Sequence, residues 1–191
     1  MVATTTSSAP PDTRTRLLRA AQRLFRKRGY HGTGINEILQ LANAPKGSLY
    51  HHFPGGKEEI AVHVIDGIAR SIVGLLARNQ APSMVVVIEQ FGAELVQMAE
   101  KTNFEICALL TAFVAERQTS PKLRLAVVAA YRDILNELER RLQLDGTPRA
   151  IAVDKANLIV ALLEGGSLLA QVQQNSTAFK LAIRHAARIC G

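Results

Sequence analysis

The amino-acid sequence predicts an all-α protein, with a small N-terminal domain of three helices in helix-turn-helix layout followed by a larger helical domain. Apolar residues recur at helical spacing from residue 12 onward, and Gly, Pro and Asn separate the periodic segments. The one strand-like run, MVVVI at 84–88, is flanked by helical periodicity and is therefore assigned to a helix. With 48% hydrophobic residues among 191, the chain can bury a core without disulfides.

The chain begins with a segment that carries no helical pattern. Residues 1–11 are rich in Thr, Ser, Ala and Pro and are expected to form a disordered leader. They have neither the basic start nor the apolar stretch of a signal peptide, and no uninterrupted apolar run approaches the ~18 residues of a membrane span. The two cysteines, Cys107 and Cys190, are expected to be free thiols. These features predict a cytoplasmic protein.

Three helices are predicted within residues 12–56, which we take as the first domain. The first helix starts near Asp12 as N-cap, ends at Gly29 and carries an apolar stripe of Leu17, Leu18, Ala21, Leu24 and Phe25. The second has Thr33 as N-cap and inward residues Ile35, Ile38, Leu39 and Ala42. Asn43 can take the left-handed conformation of a tight turn, and Pro45 opens a third helix that ends near His52, before Pro54-Gly55-Gly56.

The second predicted domain, residues 57–191, contains only helices. Turn signals such as Pro82, Ser120-Pro121 and Asp145-Gly146 separate the periodic segments. The predicted helices run at about 57–79, 83–101, 103–117, 121–144, 148–174 and 176–189.

The positive charge is concentrated in the first third of the chain. The net charge is +7, but residues 1–60 hold nine Lys or Arg and only four Asp or Glu, a net of +5. Residues 61–191 are nearly balanced, with fourteen basic and twelve acidic side chains. The anionic partner that a basic protein favours is therefore expected at the three-helix domain.

The third helix has the chemistry of a surface that reads DNA. In a helix-turn-helix motif the second helix of the pair enters the major groove. Its predicted N-terminus combines free backbone N–H groups, a cation, a position without a side chain and a hydroxyl, from Lys46, Gly47 and Ser48. Polar-tipped rings follow within one turn, at Tyr50, His51 and His52. A metal site at His51, His52 and His63 is disfavoured, because adjacent helical histidines diverge and no acidic or Cys partner has ligand spacing.

The stretch from Gly29 to Glu58 resembles the N-terminal domain of the TetR/AcrR family of transcriptional regulators. The match runs through Gly29-Tyr30-His31, Thr33, Ile35, Ile38, Ala42 and the block Pro45 to Glu58, of which Lys46 to Phe53 followed by Lys57 is the strongest signature. The double glycine before Lys57 and the segment from Phe104 to Glu116 are similar to the LmrA/YxaF-like branch.

The resemblance implies a set of DNA-binding residues: Thr33, Lys46, Gly47, Ser48, Tyr50, His51, His52 and Lys57. Thr33 would contact phosphate, Lys46 and Ser48 would face base edges or phosphates, and Lys57 would clamp the backbone. The sequence departs from the family pattern at the turn Ala42-Asn43-Ala44, usually Ala-Gly-Val, and at Asn36, usually charged. We expect these departures to affect the affinity for DNA more than the fold.

The helix predicted at 148–174 has two interpretations. From Ala156 to Ala170 ten of fifteen residues are apolar and Glu164 is the only charged one, so the helix is buried on more than one side. It is either an internal core helix or the seam of a homodimer, where Gly165-Gly166-Ser167 would allow close crossing. The resemblance implies that helices 148–174 and 176–189 form a four-helix dimer interface.

The resemblance also implies an effector pocket in the second domain. The candidate lining residues are Phe91, Met98, Phe104, Cys107, Leu110, Phe113, Tyr131 and Glu164, although any one of them could be plain core. Their low charge favours an apolar or aromatic effector, and the LmrA/YxaF-like comparison favours drug-like or flavonoid-like compounds.

The sequence therefore predicts a homodimeric, ligand-responsive transcription repressor. It would bind a palindromic operator with half-sites about one helical turn (~34–36 Å) apart. A ligand would shift helix 57–79, and no cofactor or metal is expected. One rival is an all-helical enzyme, which the core residues Glu164, Cys107, Tyr131, Asp154 and His185 do not support as a known constellation. The other is a non-specific nucleoid-binding or scaffold protein, which would not need the large apolar domain.

Overall fold

The computed structural model describes residues 12–104, 110–114 and 120–191, and within them every regular element is a helix. The helices are α1 (Thr13–Arg28), α2 (Ile35–Ala42), α3 (Lys46–His52), α4 (Gly56–Arg78), α5 (Met84–Lys101), α6 (Thr111–Val114), α7 (Pro121–Leu144), α8 (Arg149–Gln173) and α9 (Thr177–Cys190). The predicted all-α class is confirmed. The expected leader, 1–11, lies outside the described residues.

Capping side chains set several of the helix starts. The Asp12 carboxylate accepts the N–H of Thr15 at 2.7 Å, and hydrogen bonds from the Thr15 side chain and backbone lower the pKa of Asp12. Ser120 accepts the N–H of Leu123 at 3.2 Å, and Pro121 occupies the first turn of α7. These two starts agree with the sequence prediction.

Two predicted boundaries are wrong. The N-cap of α2 is Gly34 and not Thr33, and the Glu37 carboxylate accepts the Gly34 N–H at 2.9 Å. The helix predicted at 103–117 does not begin at 103, because Asn103 and Phe104 have left-handed φ values of 48° and 59°. The Phe104 N–H bonds back to the Ala99 carbonyl at 2.8 Å, which ends α5.

Helices α1 to α3 pack around a small core of their own, which we call the head. Its centre consists of fully buried side chains on all three helices and the residue after them: Leu17, Phe25, Ile38, Leu49 and Phe53. Helix α4 packs on both α1 and α7, so it belongs to both cores. Among the described helices, α4 is the one long and apolar enough to cross a membrane, with mean hydropathy 1.7 over 18 residues. Here its apolar face, including Ile60, Ile65 and Ile68, is buried against α1 and α7.

Helices α8 and α9 lie close together, and α5 packs against α9. A Cβ placed on Gly166 would lie 2.5 Å from the Ala182 Cβ, and one placed on Gly92 would lie 2.5 Å from Ile183 Cγ2. Glycine at these two positions therefore permits contacts that an alanine would obstruct. Gly166 serves the close approach of α9 in its own chain, and not the partner crossing for which the sequence suggested it.

Candidate nucleic-acid interface and cavity

Helix α3 presents its N-terminus and one polar face to solvent. Lys46, Gly47 and His51 are exposed, and Tyr50 is 44% exposed. Leu49 and Phe53 are fully buried in the head core and fix the rotation of the helix. The burial of these apolar residues leaves the predicted DNA-reading side chains on the outer face, with Ser48 and His52 half-buried at its margin.

The turn before α3 has the predicted conformation. Asn43 has φ 47° and ψ 55°, in the left-handed region, and the N–H of Ala44 bonds to the Leu39 carbonyl at 3.1 Å. Pro45 is the N-cap of α3, and no described side chain caps this end. The first amide N–H groups of α3, on Lys46 and Gly47, therefore have no acceptor within the helix and can bind a phosphate.

Thr33 does not lie where the phosphate contact expected of it requires. Its side chain is 1% exposed, and its hydroxyl donates to the Gly29 carbonyl at 2.8 Å. The hydroxyl thus holds the loop between α1 and α2 together and is not presented to solvent.

Lys57 is turned inward, not outward as a phosphate clamp would be. Its Nζ donates to the carbonyls of Tyr30 at 3.2 Å and Thr33 at 3.0 Å, and it lies 4.4 Å from the centre of the Tyr30 ring. Two of its three N–H donors are therefore used inside the protein. Lys57 ties the first turn of α4 to the loop before α2, a role that spacing along the sequence gave no sign of.

The histidines near α3 do not form a metal cluster. The His51 and His52 rings are 5.1 Å apart and edge-on, and no group of three or more potential metal-ligating residues occurs among the described residues. His63 lies on α4, where its ring nitrogens are 3.5 Å from Arg14 and its Nε2 is 3.9 Å from the Glu59 carboxylate.

A cavity, part of it open to solvent, lies between helices α4, α5, α7, α8 and α9. Three of the predicted lining residues are present: Phe91, Tyr131 and Glu164. The Tyr131 hydroxyl donates to the Glu164 carboxylate at 2.9 Å, so the polar groups of the cavity converge on one wall. The lining residues that the sequence did not predict are Ile72, Leu76, Ile88, Leu95, Ile134, Leu138, Val160, Leu163, Ser167 and Phe179.

Four of the predicted lining residues do not line this cavity: Met98, Phe104, Leu110 and Phe113. Phe104, Leu110 and Phe113 are buried elsewhere, and Phe113 packs edge-on against Phe25 of the head with ring centroids 5.6 Å apart. Phe113 therefore joins the second core to the head. Cys107 lies outside the described residues.

A second group of contacts bonds the first turn of α4 to the start of α7. The Ser120 hydroxyl donates to one oxygen of Glu58 at 2.7 Å, and Lys122 lies 3.3 Å from the other. These contacts lower the pKa of the Glu58 carboxyl, the Ser120 hydrogen bond most of all. The start of α7, whose middle lines the cavity, is thereby bonded to the residue that follows Lys57.

Comparison with known families gives two matches along the chain. Residues 17–64 match the bacterial regulatory proteins of the tetR family. Residues 85–185 match the C-terminal domain of LmrA/YxaF-like transcriptional regulators.

Two relatives come from Bacillus subtilis strain 168. The HTH-type transcriptional regulator LmrA is 35% identical over 170 residues, covering 87% of this chain and 90% of that protein. YxaF, an uncharacterised HTH-type transcriptional regulator, is 30% identical over 174 residues, covering 87% and 88%. The HTH-type transcriptional repressor NemR of Escherichia coli K12 is 23% identical over 187 residues, covering 93% and 94%.

Solved structures show the same fold. A TetR transcriptional regulator from Legionella pneumophila matches with a TM-score of 0.84 at 24% identity, covering 95% of this chain and 98% of that one. The reduced form of E. coli NemR matches with a TM-score of 0.75 at 24% identity, covering 93% and 97%. The helical arrangement described above therefore recurs in experimentally determined structures.

Proposed function

Because this chain belongs to the TetR family of bacterial transcriptional regulators, we propose that it is a repressor that a small molecule releases from a palindromic operator. Members of the family regulate transcription by binding DNA and are not enzymes. The observation that carries the proposal is the exposed N-terminus of α3 on a head that packs, through Phe25 and Phe113, against a cavity-bearing domain. The name of the relative NemR, a transcriptional repressor, supports repression over activation.

The DNA contact is assigned to the outer face of α3. The Lys46 ammonium and the Ser48 hydroxyl would face base edges or phosphates, and Gly47 would let the backbone approach closely. Tyr50 and His51 would contact the phosphates that border the groove, with His52 beside them. Thr33 and Lys57 are proposed to stabilise the loop between α1 and α2 through their hydrogen bonds to its carbonyls, instead of making the phosphate contacts first expected of them.

A homodimer through α8 and α9 accounts for the exposed apolar side chains of these helices. Five of these side chains lie on α8 and one on α9, and they are between 46% and 72% exposed: Ile151, Leu158, Leu168, Leu169, Val172 and Leu181. Several large apolar side chains exposed on one pair of helices are expected at a protein interface. Gly165, on the same exposed side of α8, has no described atom within 4 Å of its Cβ position, so a partner helix could approach there.

The effector is proposed to be an apolar or aromatic small molecule that occupies the cavity between α4, α5, α7, α8 and α9. Most of the lining is aliphatic or aromatic, which suits such a molecule. Tyr131, Glu164 and Ser167 supply the few polar groups that could orient it.

Release is proposed to act through α4 and α7. Ile72 and Leu76 of α4 line the cavity, and the same helix begins at Gly56, beside the end of α3. Helix α7 lines the cavity through Tyr131, Ile134 and Leu138 and bonds to Glu58 through Ser120. A ligand that binds the released arrangement more tightly than the DNA-bound one would shift the population away from DNA. The proposal places the protein in the cytoplasm, where the chromosome is.

The experiment measures binding to a duplex that the purified protein selects from random-sequence DNA. Lys46→Ala and Tyr50→Ala are compared with Lys101→Ala, which removes an exposed charge from the second domain. Loss of one specific contact per subunit, at about 1 kcal/mol or more each, should weaken the dimer's binding about 30-fold or more. Lys101→Ala should bind as the wild type does. Wild-type affinity in both α3 variants, or equal affinity for selected and unrelated duplexes, would overturn the DNA-binding assignment.

A further inference from the structure

A basic groove lies between α1 and the C-terminal end of α2. We call it the arginine groove; it is lined by Arg16, Arg19, Ala20, Arg23, Leu41 and Ala42. The three arginines are three, four and seven residues apart on α1, so they share one face of that helix. No acidic residue lines the groove.

Within the described part of the chain, no carboxylate forms an ion pair with the guanidinium groups of the arginine groove. Arg19 and Arg23 are exposed, and none of the ion pairs found among the described residues includes them. Arg16 donates to the Thr13 hydroxyl at 3.1 Å, and its Nε is buried without a hydrogen-bond partner in the described part of the chain. Because arginine stays charged at all physiological pH values, the groove can attract an anion throughout that range.

The position of the arginine groove indicates which anion it serves. Leu41 and Ala42 are the last residues of α2, and α3 begins only four residues after Ala42, at Lys46. The groove is therefore continuous with the turn that leads into the exposed N-terminus of α3. A strand of DNA that borders the major groove around α3 would continue past this turn.

We propose that the arginine groove binds the sugar-phosphate backbone of the DNA strand that borders the major groove occupied by α3. The inference rests on the proposed function of α3. From Arg16 to Arg23 the axis of α1 rises about 10 Å, which corresponds to about three nucleotides of one strand at 3.4 Å each. Guanidinium forks match phosphate oxygens in geometry, and the side chain of Leu41, 45% exposed, can lie against a sugar. The groove adds affinity without reading sequence.

The test is the salt dependence of DNA binding. The double variant Arg19→Gln/Arg23→Gln removes two phosphate contacts per subunit, hence four per dimer. The slope of log K against log salt concentration should then fall in magnitude by about 3.6, since each contact contributes about 0.9. Between 50 and 200 mM salt, the wild type should lose about 150-fold more affinity than the variant does, on the same relation. The probes are a duplex selected from random-sequence DNA and an unrelated duplex of the same length.

Matched variants separate a local contact from a change in net charge. Arg78→Gln/Lys101→Gln removes the same charge from exposed positions of the second domain and should keep the wild-type slope. Arg19→Lys/Arg23→Lys keeps the cations and should restore most of the slope. An unchanged melting temperature in all of these variants shows that the exposed substitutions leave the fold intact.

The result that overturns the inference is a wild-type slope in Arg19→Gln/Arg23→Gln, or an equal loss in the Arg78→Gln/Lys101→Gln control. Either outcome would assign the arginine groove to another anionic partner, such as an acidic protein surface, or to no partner. The proposed function fails separately, if Lys46→Ala binds the selected duplex as the wild type does. The inference also requires that Arg19→Gln/Arg23→Gln weaken binding to both duplexes by a similar factor, because phosphate contacts are blind to sequence.

Discussion

Gly166 sets the distance between α8 and α9, so the substitution Gly166→Ala should force the two helices apart. The added methyl group would lie 2.5 Å from the Ala182 Cβ, and neither atom can rotate away because each is fixed to its backbone. Carbon atoms in contact are normally about 3.5–4.0 Å apart, so the helices must separate by about 1 Å. Overpacking of this kind costs about 1–3 kcal/mol.

The neighbouring substitution Gly165→Ala is the matched control. It brings the same gain in helix propensity, about 1 kcal/mol, at a position where the new methyl group meets no described atom within 4 Å. The difference between the two variants therefore isolates the steric term, about 1–3 kcal/mol in favour of Gly165→Ala. In a chain of this length that corresponds to a difference of about 2–12 °C in melting temperature.

Thermal unfolding followed by circular dichroism checks this prediction. The scans are run at two protein concentrations, because Gly165 lies on the proposed dimer face and an effect on assembly would depend on concentration. Equal melting temperatures for the two variants at both concentrations would refute the packing described for α8 and α9.

Three further predictions concern the links within the subunit and between subunits. Lys57→Ala should lower the free energy of unfolding by about 1.5–3 kcal/mol, because it removes charge-assisted hydrogen bonds to the Tyr30 and Thr33 carbonyls. An unchanged melting temperature of the free protein would contradict this structural role and favour the phosphate contact that the resemblance implies for Lys57. Glu58→Gln should lower the melting temperature at pH 7, because the pKa of Glu58 is lowered in the folded state and its carboxylate stabilises the fold at neutral pH. That stabilisation is lost as the pH falls through the folded-state pKa, so the difference from the wild type should shrink on acidification; a difference that stays constant as the pH falls would contradict this. Leu158→Glu, at a 49% exposed position, should leave the subunit folded but shift sedimentation from dimer to monomer, and a stable dimer would exclude the proposed α8 and α9 face.

Local signals in the sequence were sufficient for most of the helices. Asp12 and Ser120-Pro121 are capping residues, and the helices that follow them start where predicted. The end of α5 agrees with the prediction, but the next helix does not begin at 103, because Asn103 and Phe104 adopt left-handed conformations, which are uncommon for a residue such as Phe104.

The roles of Thr33 and Lys57 could not be inferred from spacing alone. Lys57 bonds to carbonyls 27 and 24 residues earlier in the chain, and such a contact exists only after α4 has packed on α1. Sequence similarity assigned both residues to DNA because family motifs record which residue type recurs at a position, not which way its side chain points.

The cavity was predicted in part for a similar reason. Phe91, Tyr131 and Glu164 combine apolar and polar character in a way that suggests a pocket. Ile72 of α4 and Phe179 of α9 are indistinguishable in the sequence from ordinary core residues. Only the packing of several helices decides which of the buried apolar residues face a cavity and which, like Phe113, face the head.

The measurement that tests the central claim most directly is a hydroxyl-radical footprint on a duplex that the protein selects from random-sequence DNA. A two-fold dimer that inserts one α3 into each half-site predicts two protected regions, related by symmetry and centred about 34–36 Å apart along the helix axis. Lys46→Ala should erase both regions together. Uniform protection along the whole duplex, or an unchanged footprint with Lys46→Ala, would contradict a sequence-specific regulator that reads its operator through α3.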